Sequence, residues 1–251
     1  MQEILKIESV DLDAQGIARG VDGKVIFIDG ALTGEHVYAK RHQSKKSFDK
    51  AELTQILNTS SLRVAPKCPH FGLHRGACGG CKMQHLQMAA QIAIKQRALE
   101  DNFKHLGKVK PLTILPPMYG PSWGYRFRAR LSVRFVRKKN EVLIGFHERK
   151  SPYVADMKTC DILLPAFSAL LLPLRRLIAS LSQPETLAQI ELAAGESGDQ
   201  IKASKNNVMA LVLRHLAPLI DSDIDKLQQF AKAHPGVMVA TAELESIAFI
   251  S

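Results

Sequence analysis

The sequence predicts a multi-domain, β-rich chain: a small N-terminal β-barrel, a cysteine-bearing segment, and an α+β domain. Three observations carry this. Residues 4–57 break into short apolar runs separated by turn residues. Cys68, Cys78 and Cys81, three of the four cysteines, fall within fourteen positions. Beyond residue 110, strand-like runs are interspersed with two helical ones. At 251 residues there is length for one large domain or two to three smaller ones.

The barrel rests on "ILKIESV", "GIARGV", "KVIFIDG", "EHVYAKRHQ" and "FDKAELTQIL". Asp22-Gly23 is a tight-hairpin signal between two of these runs, and Asp29-Gly30 and Thr33-Gly34 punctuate the next connections. Several short strands in under 60 residues suit a barrel. The stretch "KRHQSKKSFDK" makes the third hairpin basic, with Lys45 and Lys46 as candidate contacts for a polyanion. A polar, Pro-bearing linker, "NTSSLRVAPK", follows at 58–67.

A helix is expected over 86–106. Met88, Ile92, Leu99, Phe103 and Leu106 fall near one face, read as core packing, and Gly107 is a natural stop. The next domain is expected to have strands at 125–136, 141–147, 186–194, 207–215 and 236–242. Its helices are expected at 166–182, kinked by Pro173, and at 222–234, capped by Asp221 or Ser222. The resulting division is 1–58, 59–107 and 108–251. The closing "ELESIAFIS" has neither a polar tail nor a helix cap and reads as cut off.

Charge narrows the function. Residues 151–251 hold eight Lys and Arg against eleven Asp and Glu, so they contribute −3 of the overall +10 and the first 150 residues +13. Such asymmetry points to a polyanion meeting the front of the chain. No basic stretch followed by an apolar run opens the sequence, and no run approaches the ~18 apolar residues of a membrane span. A cytoplasmic protein is expected. In that reducing compartment, clustered cysteines are more often metal ligands or redox centres than disulfides.

The cysteine spacing is C-x9-C-x2-C, with Cys160 far downstream. Gly79 and Gly80 remove side chains between Cys78 and Cys81, so backbone N–H groups can turn toward sulfur. A thioredoxin-like pair requires a strand before it and a helix directly after it, but a loop precedes this one and a third Cys stands beside it. Two chemistries remain, a zinc site and an iron–sulfur cluster. A zinc ribbon normally brings a second paired set, which Cys160 lacks. Three clustered thiolates and one remote thiolate fit a [4Fe–4S] cluster, and a structural or RNA-contacting role is expected rather than radical chemistry.

The stretch "YRFRARLSVRF" (125–135) alternates. Tyr125, Phe127, Ala129, Leu131, Val133 and Phe135 are expected on the core face, and Arg126, Arg128, Arg130 and Arg134 on the other, about 7 Å apart. Residues 123–150 carry nine Lys and Arg against Glu141 and Glu148. Like charges in a row repel unless anions meet them, and Arg suits bidentate phosphate contacts and stacking on bases. Single-stranded or loop RNA is the favoured ligand.

Assembled in this order, "CPHF", "CGGCKMQH", "WGYRFRARLSV", "GFHERKSPYVADMKTCDIL" and "LVLRHLAPL" resemble the iron–sulfur 23S rRNA (uracil-C5)-methyltransferases of the RNA 5-methyluridine methyltransferase family. The resemblance spans essentially the whole chain. It implies an OB-like TRAM domain for RNA binding over 1–58, a [4Fe–4S] cluster on Cys68, Cys78, Cys81 and Cys160, and a central α+β RNA-binding domain. S-adenosylmethionine as methyl donor, 23S rRNA as partner and a monomeric, non-membrane protein are implied as well. In that family a cysteine thiolate adds to uracil C6, C5 takes the methyl group, and a base removes the C5 proton.

Two departures stand out. The first cysteine spacing is longer than the family's usual C-x5-C, as though "HRGA" were inserted, and a bulged loop is expected. No Gly-rich cofactor loop is seen and no cysteine follows Cys160. The Rossmann-like methyltransferase domain is therefore expected to be absent and the chain inert by itself, with no catalytic residue assigned. The alternative is a stand-alone iron–sulfur or zinc RNA-binding or ribosome-assembly protein.

Overall fold

A computed structural model describes residues 3–196, 207–243 and 246–250. Two compact units divide the chain: residues 1–75 with 81–120, and residues 76–80 with 121–251.

In the first unit, six strands form one sheet: β1 (Leu5–Lys6), β2 (Ser9–Val10), β3 (Gln15–Arg19), β4 (Val25–Asp29), β5 (His36–Ser44) and β6 (Phe48–Asn58). Their order is β1-β5-β6-β4-β3-β2. The outermost members, β1 and β2, are halves of the single segment Leu5–Val10, so the sheet closes on itself and leaves no long edge. All neighbours are antiparallel except β4 and β6. Side chains alternate, and Leu5, Ile7, Ala18, Ile26, Ile28, Val37 and Ala51 fill the interior. A second cluster, Val10, Ala14, Leu32, Met83, Leu86 and Ala90, packs the segment after Cys81 against the same unit. The linker pairs with that segment, because Val64 N–H donates to His85 O (3.0 Å) and Gln87 N–H to Leu62 O (2.9 Å).

Helix α1 (Met88–Asn102) and one π-turn, Phe103–Gly107, replace the long helix expected at 86–106. The expected core face is not one. Met88, Leu99, Phe103 and Leu106 are exposed, and Ala90 is the buried residue of α1. Apolar spacing placed these residues on one stripe, but the helix packs through Ala90 and Ile94 instead. Lys108, rather than Gly107, takes the left-handed conformation that ends the turn.

In the second unit, β7 (Arg128–Val136) and β8 (Glu141–Gly145) precede α2 (Pro165–Ala179), followed by β9 (Leu187–Glu196), β10 (Asn207–His215), α3 (Asp221–Ala233), β11 (Val237–Glu243) and β12 (Ser246–Ile250). The sheet order is β12-β11-β10-β9-β7-β8. Phe167, Leu170, Leu171, Leu174 and Ile178 recur at three- and four-residue intervals on α2 and are buried, as the helical period requires.

Here the structure corrects the fold class expected from the sequence. The second unit is not a simple α+β arrangement following a separate cysteine segment. β10 and β11 run parallel, from Met209 opposite Val237 to Arg214 opposite Ala242, and α3 connects them as a βαβ crossover. The apolar runs were visible in the sequence, but their parallel pairing is a non-local choice. Residues 76–80 also join this unit, because Gly79 N–H donates to His147 O and Arg149 N–H to Ala77 O, both at 2.8 Å. Strand β12, at the end of the chain, was not expected.

Neither Asp221 nor Ser222 caps α3; the N-cap is Ile220. Asp223 instead is buried and accepts the Ser182 backbone N–H at 2.9 Å. Burial opposes its ionisation, but the two Ser182 hydrogen bonds and Lys226 outweigh burial and hold the carboxyl below its ordinary range. A group with a depressed folded-state pKa stabilises above its unfolded pKa and loses that contribution as pH falls. Asp223→Ala, which strands the Ser182 donors, is expected to cost about 1–3 kcal/mol at neutral pH. In urea melts the gap to wild type should narrow on acidification.

Candidate nucleic-acid interface

β7 lies between β8 and β9, and its pleat sorts its side chains. Leu131 and Val133 are buried on one side, while Arg128, Arg130 and Arg134 are exposed on the other. Cross-strand register adds neighbours on the open face. Arg130 lies opposite Glu191 of β9, Ser132 opposite Gln189, and Arg134 opposite Leu143 of β8. Glu191 takes Arg130 at 3.3 Å and Arg214 of β10 at 2.8 Å, so one carboxylate serves two guanidinium groups. His147 Nε2 stands 3.2 Å from Ser132 Oγ, and its Nδ1 3.0 Å from Pro152 O.

Sequence alternation is corrected at the start of this strand. Tyr125 and Phe127 were expected in the core, yet they are 46% and 45% exposed. The cause is the backbone: residues 124–126 precede the sheet, which Phe127 joins only through its C=O, accepting the Ala194 N–H at 2.8 Å. Gly124 N–H donates to Asp161 O (2.9 Å) and Arg126 N–H to Ile162 O (2.8 Å), in a parallel bridge to the segment before α2. Arg126 consequently leaves the arginine row, and its guanidinium lies over the Phe146 ring, 5.3 Å from the centroid. This backbone course brings aromatic rings to the surface just before the cationic strand. That combination suits single-stranded nucleic acid, with phosphates on guanidinium groups and bases on rings.

Lys45 and Lys46 are exposed at the β5–β6 turn of the first unit. Asp49, buried at the root of that hairpin, receives Lys24 (2.6 Å) and Arg41 (3.2 Å). Its hydrogen bonds from Lys24 and Ser44 hold the carboxyl below its ordinary range. Arg214 and His147 were missed by the sequence reading. The alternation of Val208, Ala210, Val212 and Arg214 along β10 was a usable signal for the first; the second had none, since its position follows from the bend after β8.

The four cysteines are thiols, none in a disulfide. Half-buried Cys68 and Cys81 belong to the first unit, and buried Cys78 and Cys160 to the second. Gly80 N–H points at Cys78 Sγ (3.4 Å), as expected of a sulfur ligand loop, whereas Gly79 N–H turns to His147 O. Both glycines are closely packed: a Cβ on Gly80 would stand 2.7 Å from the Phe146 ring, and one on Gly79 3.0 Å from His147 O. Met157 Sδ lies 3.6 Å from Cys78 Sγ, and Ser168 Oγ accepts the Cys160 N–H at 2.8 Å. Among the described residues no three His, Cys, Asp or Glu side chains gather as a metal-holding group. In number and chemistry the donors suit a soft-ligand iron–sulfur group, and the hydrogen bond to sulfur is of the kind that tunes one. No helix among the described residues is long and apolar enough to cross a membrane.

No protein-family model matches the chain. It is 59% identical, over 230 residues, to the 23S rRNA (uracil(1939)-C(5))-methyltransferase RlmD of Acidovorax sp. (strain JS42), covering 92% of this chain and 46% of that protein. RlmD of Polaromonas sp. is 56% identical over 94% of this chain and 47% of its own length, and RlmD of Bordetella pertussis 57% over 93% and 47%. Among solved structures, the chain matches Pyrococcus abyssi tRNA (uracil-54, C5)-methyltransferase in complex with S-adenosyl-L-homocysteine. The TM-score is 0.64 at 18% identity, over 97% of this chain and 52% of that one.

At that identity the likeness concerns fold, and on fold it overturns an expectation. The chain was expected to lack a methyltransferase fold, but 97% of it aligns within a methyltransferase chain. The chain is thus similar over 92% of its length to a 23S rRNA uracil-C5-methyltransferase, and it spans about half the length of the curated relatives it matches.

Proposed function

We propose that this chain supplies RNA recognition for S-adenosylmethionine-dependent methylation of uracil C5 in 23S rRNA, as a monomer in the cytoplasm. The observation that carries the reading is 59% identity, over 92% of the chain, to a protein bearing that activity in its name. The open sheet face supports it. Arg128, Arg130 and Arg134 are suited to phosphates, Tyr125 and Phe127 to splayed bases, and Lys45 and Lys46 add cations in the first unit.

Cys68, Cys78, Cys81 and Cys160 are the proposed ligands of a [4Fe–4S] cluster, which when bound supplies a cross-link among segments distant in sequence. This chain's part is to present the thiols, to aim the Gly80 N–H at Cys78 Sγ, and to fix the backbone at Cys160 through Ser168. Cys78→Ser is expected to lower bound iron from about four per chain to well below one, because a hydroxyl replaces a thiolate ligand. Wild-type iron content in that variant would remove Cys78 from the ligand set.

Competition binding tests the function. An RNA fragment spanning the uracil-1939 region of 23S rRNA is expected to displace labelled RNA at lower concentration than tRNA does. Equal displacement by both would contradict the proposed substrate.

A further inference from the structure

Phe146, just beyond β8, touches both features of the second unit. Its backbone N–H donates to Met157 Sδ (3.3 Å), and that sulfur is the one beside Cys78 Sγ. Its ring leaves no room for a side chain on Gly80, where a Cβ would approach Cδ2 to 2.7 Å and Cγ to 3.1 Å. The Arg126 guanidinium lies over the same ring.

We propose that Phe146 is a positioning residue, which fixes the Arg126 guanidinium for RNA and is itself held in place by the Cys78–Gly80 loop. The inference rests on the RNA-recognition reading above. An arginine side chain has many rotamers. A ring beneath the guanidinium selects one placement while consuming none of its N–H donors, which stay available for phosphate. The backbone beneath is fixed as well, by the Arg126 N–H bond to Ile162 O. Gly80 lets the loop approach closely enough to set the ring, so a change in the cysteine loop is transmitted to an RNA contact without touching RNA.

A double-mutant cycle tests this, using fluorescence anisotropy of a labelled single-stranded, uridine-containing RNA oligonucleotide, with a thermal melt of each protein. Phe146→Leu is expected to weaken binding about two- to five-fold, the range of a partly exposed cation–π contact. Arg126→Ala should weaken it at least as much, and Phe146→Leu added to Arg126→Ala should weaken it no further. Phe146→Tyr, which keeps the ring, should bind as wild type. Gly80→Ala, run through the same cycle, asks the question without altering the ring and should match Phe146→Leu. Normal binding by Arg126→Ala would overturn the assignment of Arg126 to RNA and this proposal with it. Weak binding by Arg126→Ala beside additive losses, or beside normal binding by both Phe146→Leu and Gly80→Ala, would overturn the positioning role alone.

Discussion

Glu35→Ala is expected to destabilise the first unit by about 3–5 kcal/mol, the cost of stranding one member of a buried ion pair. Glu35 is 0% exposed. Its carboxylate accepts Arg63 Nε at 2.7 Å and Arg63 Nη2 at 2.8 Å, a two-pronged geometry, and also the backbone N–H groups of Leu32 (2.8 Å) and Ser60 (3.3 Å). Arg63 reaches on to Gly30 O at 2.7 Å. One carboxylate therefore ties the linker after β6 to the β4–β5 connection, and its loss leaves the charge of a largely buried guanidinium and two backbone donors uncompensated. Burial opposes ionisation of Glu35, but the hydrogen bonds from Arg63, Leu32 and Ser60 prevail and hold its pKa below the usual carboxylate range. The sign follows. Its contribution is complete above the unfolded-state value, about 4.3, and fades as pH falls through the lower folded-state value. Urea melts at neutral pH should show the full deficit, and melts at successively lower pH a shrinking one. A neutral-pH deficit below about 1 kcal/mol would show that the pair is a surface-like interaction.

Replacing Arg128, Arg130 and Arg134 together by Ala is expected to flatten the salt dependence of RNA binding. Each lost single-strand phosphate contact removes about 0.7 from the slope of log K against log salt, so the three together remove at most about 2. Arg130 is the one of the three held by Glu191, and Arg214 is its competitor for that carboxylate. Arg128→Ala and Arg134→Ala should therefore each lower the slope by the full increment. Arg130→Ala should lower it by less, because Glu191 already neutralises part of the Arg130 charge. Titrations at several salt concentrations give these slopes directly. An unchanged slope in the triple variant would mean that this sheet face meets something other than a polyanion.

Much of this was legible in the sequence, and the failures have physical causes. Strand alternation along 128–134 reported the pleat correctly because both neighbours of β7 fix its faces. The same alternation failed at Tyr125 and Phe127, because the backbone at Gly124 and Arg126 pairs with residues 161–163, which no local pattern announces. The apolar stripe on α1 failed for a related reason. Periodicity says which residues share a face but not whether anything covers it, and Leu99 and Leu106 remain 49% and 78% exposed. The glycines between Cys78 and Cys81 were read as making room for N–H groups near sulfur. Only Gly80 does so, and its tighter constraint is a ring 66 residues away in sequence, supplied by Phe146. The parallel pairing of β10 with β11 was hidden because pairing partners are chosen by the tertiary fold.

Metal analysis tests the proposed ligand set most directly: iron, sulfide and zinc content with a visible absorption spectrum after anaerobic purification. The account predicts about four irons and four sulfides per chain, with broad brown absorbance, held by Cys68, Cys78, Cys81 and Cys160. One zinc and no colour would contradict the cluster and leave a zinc-stapled RNA-binding protein in its place.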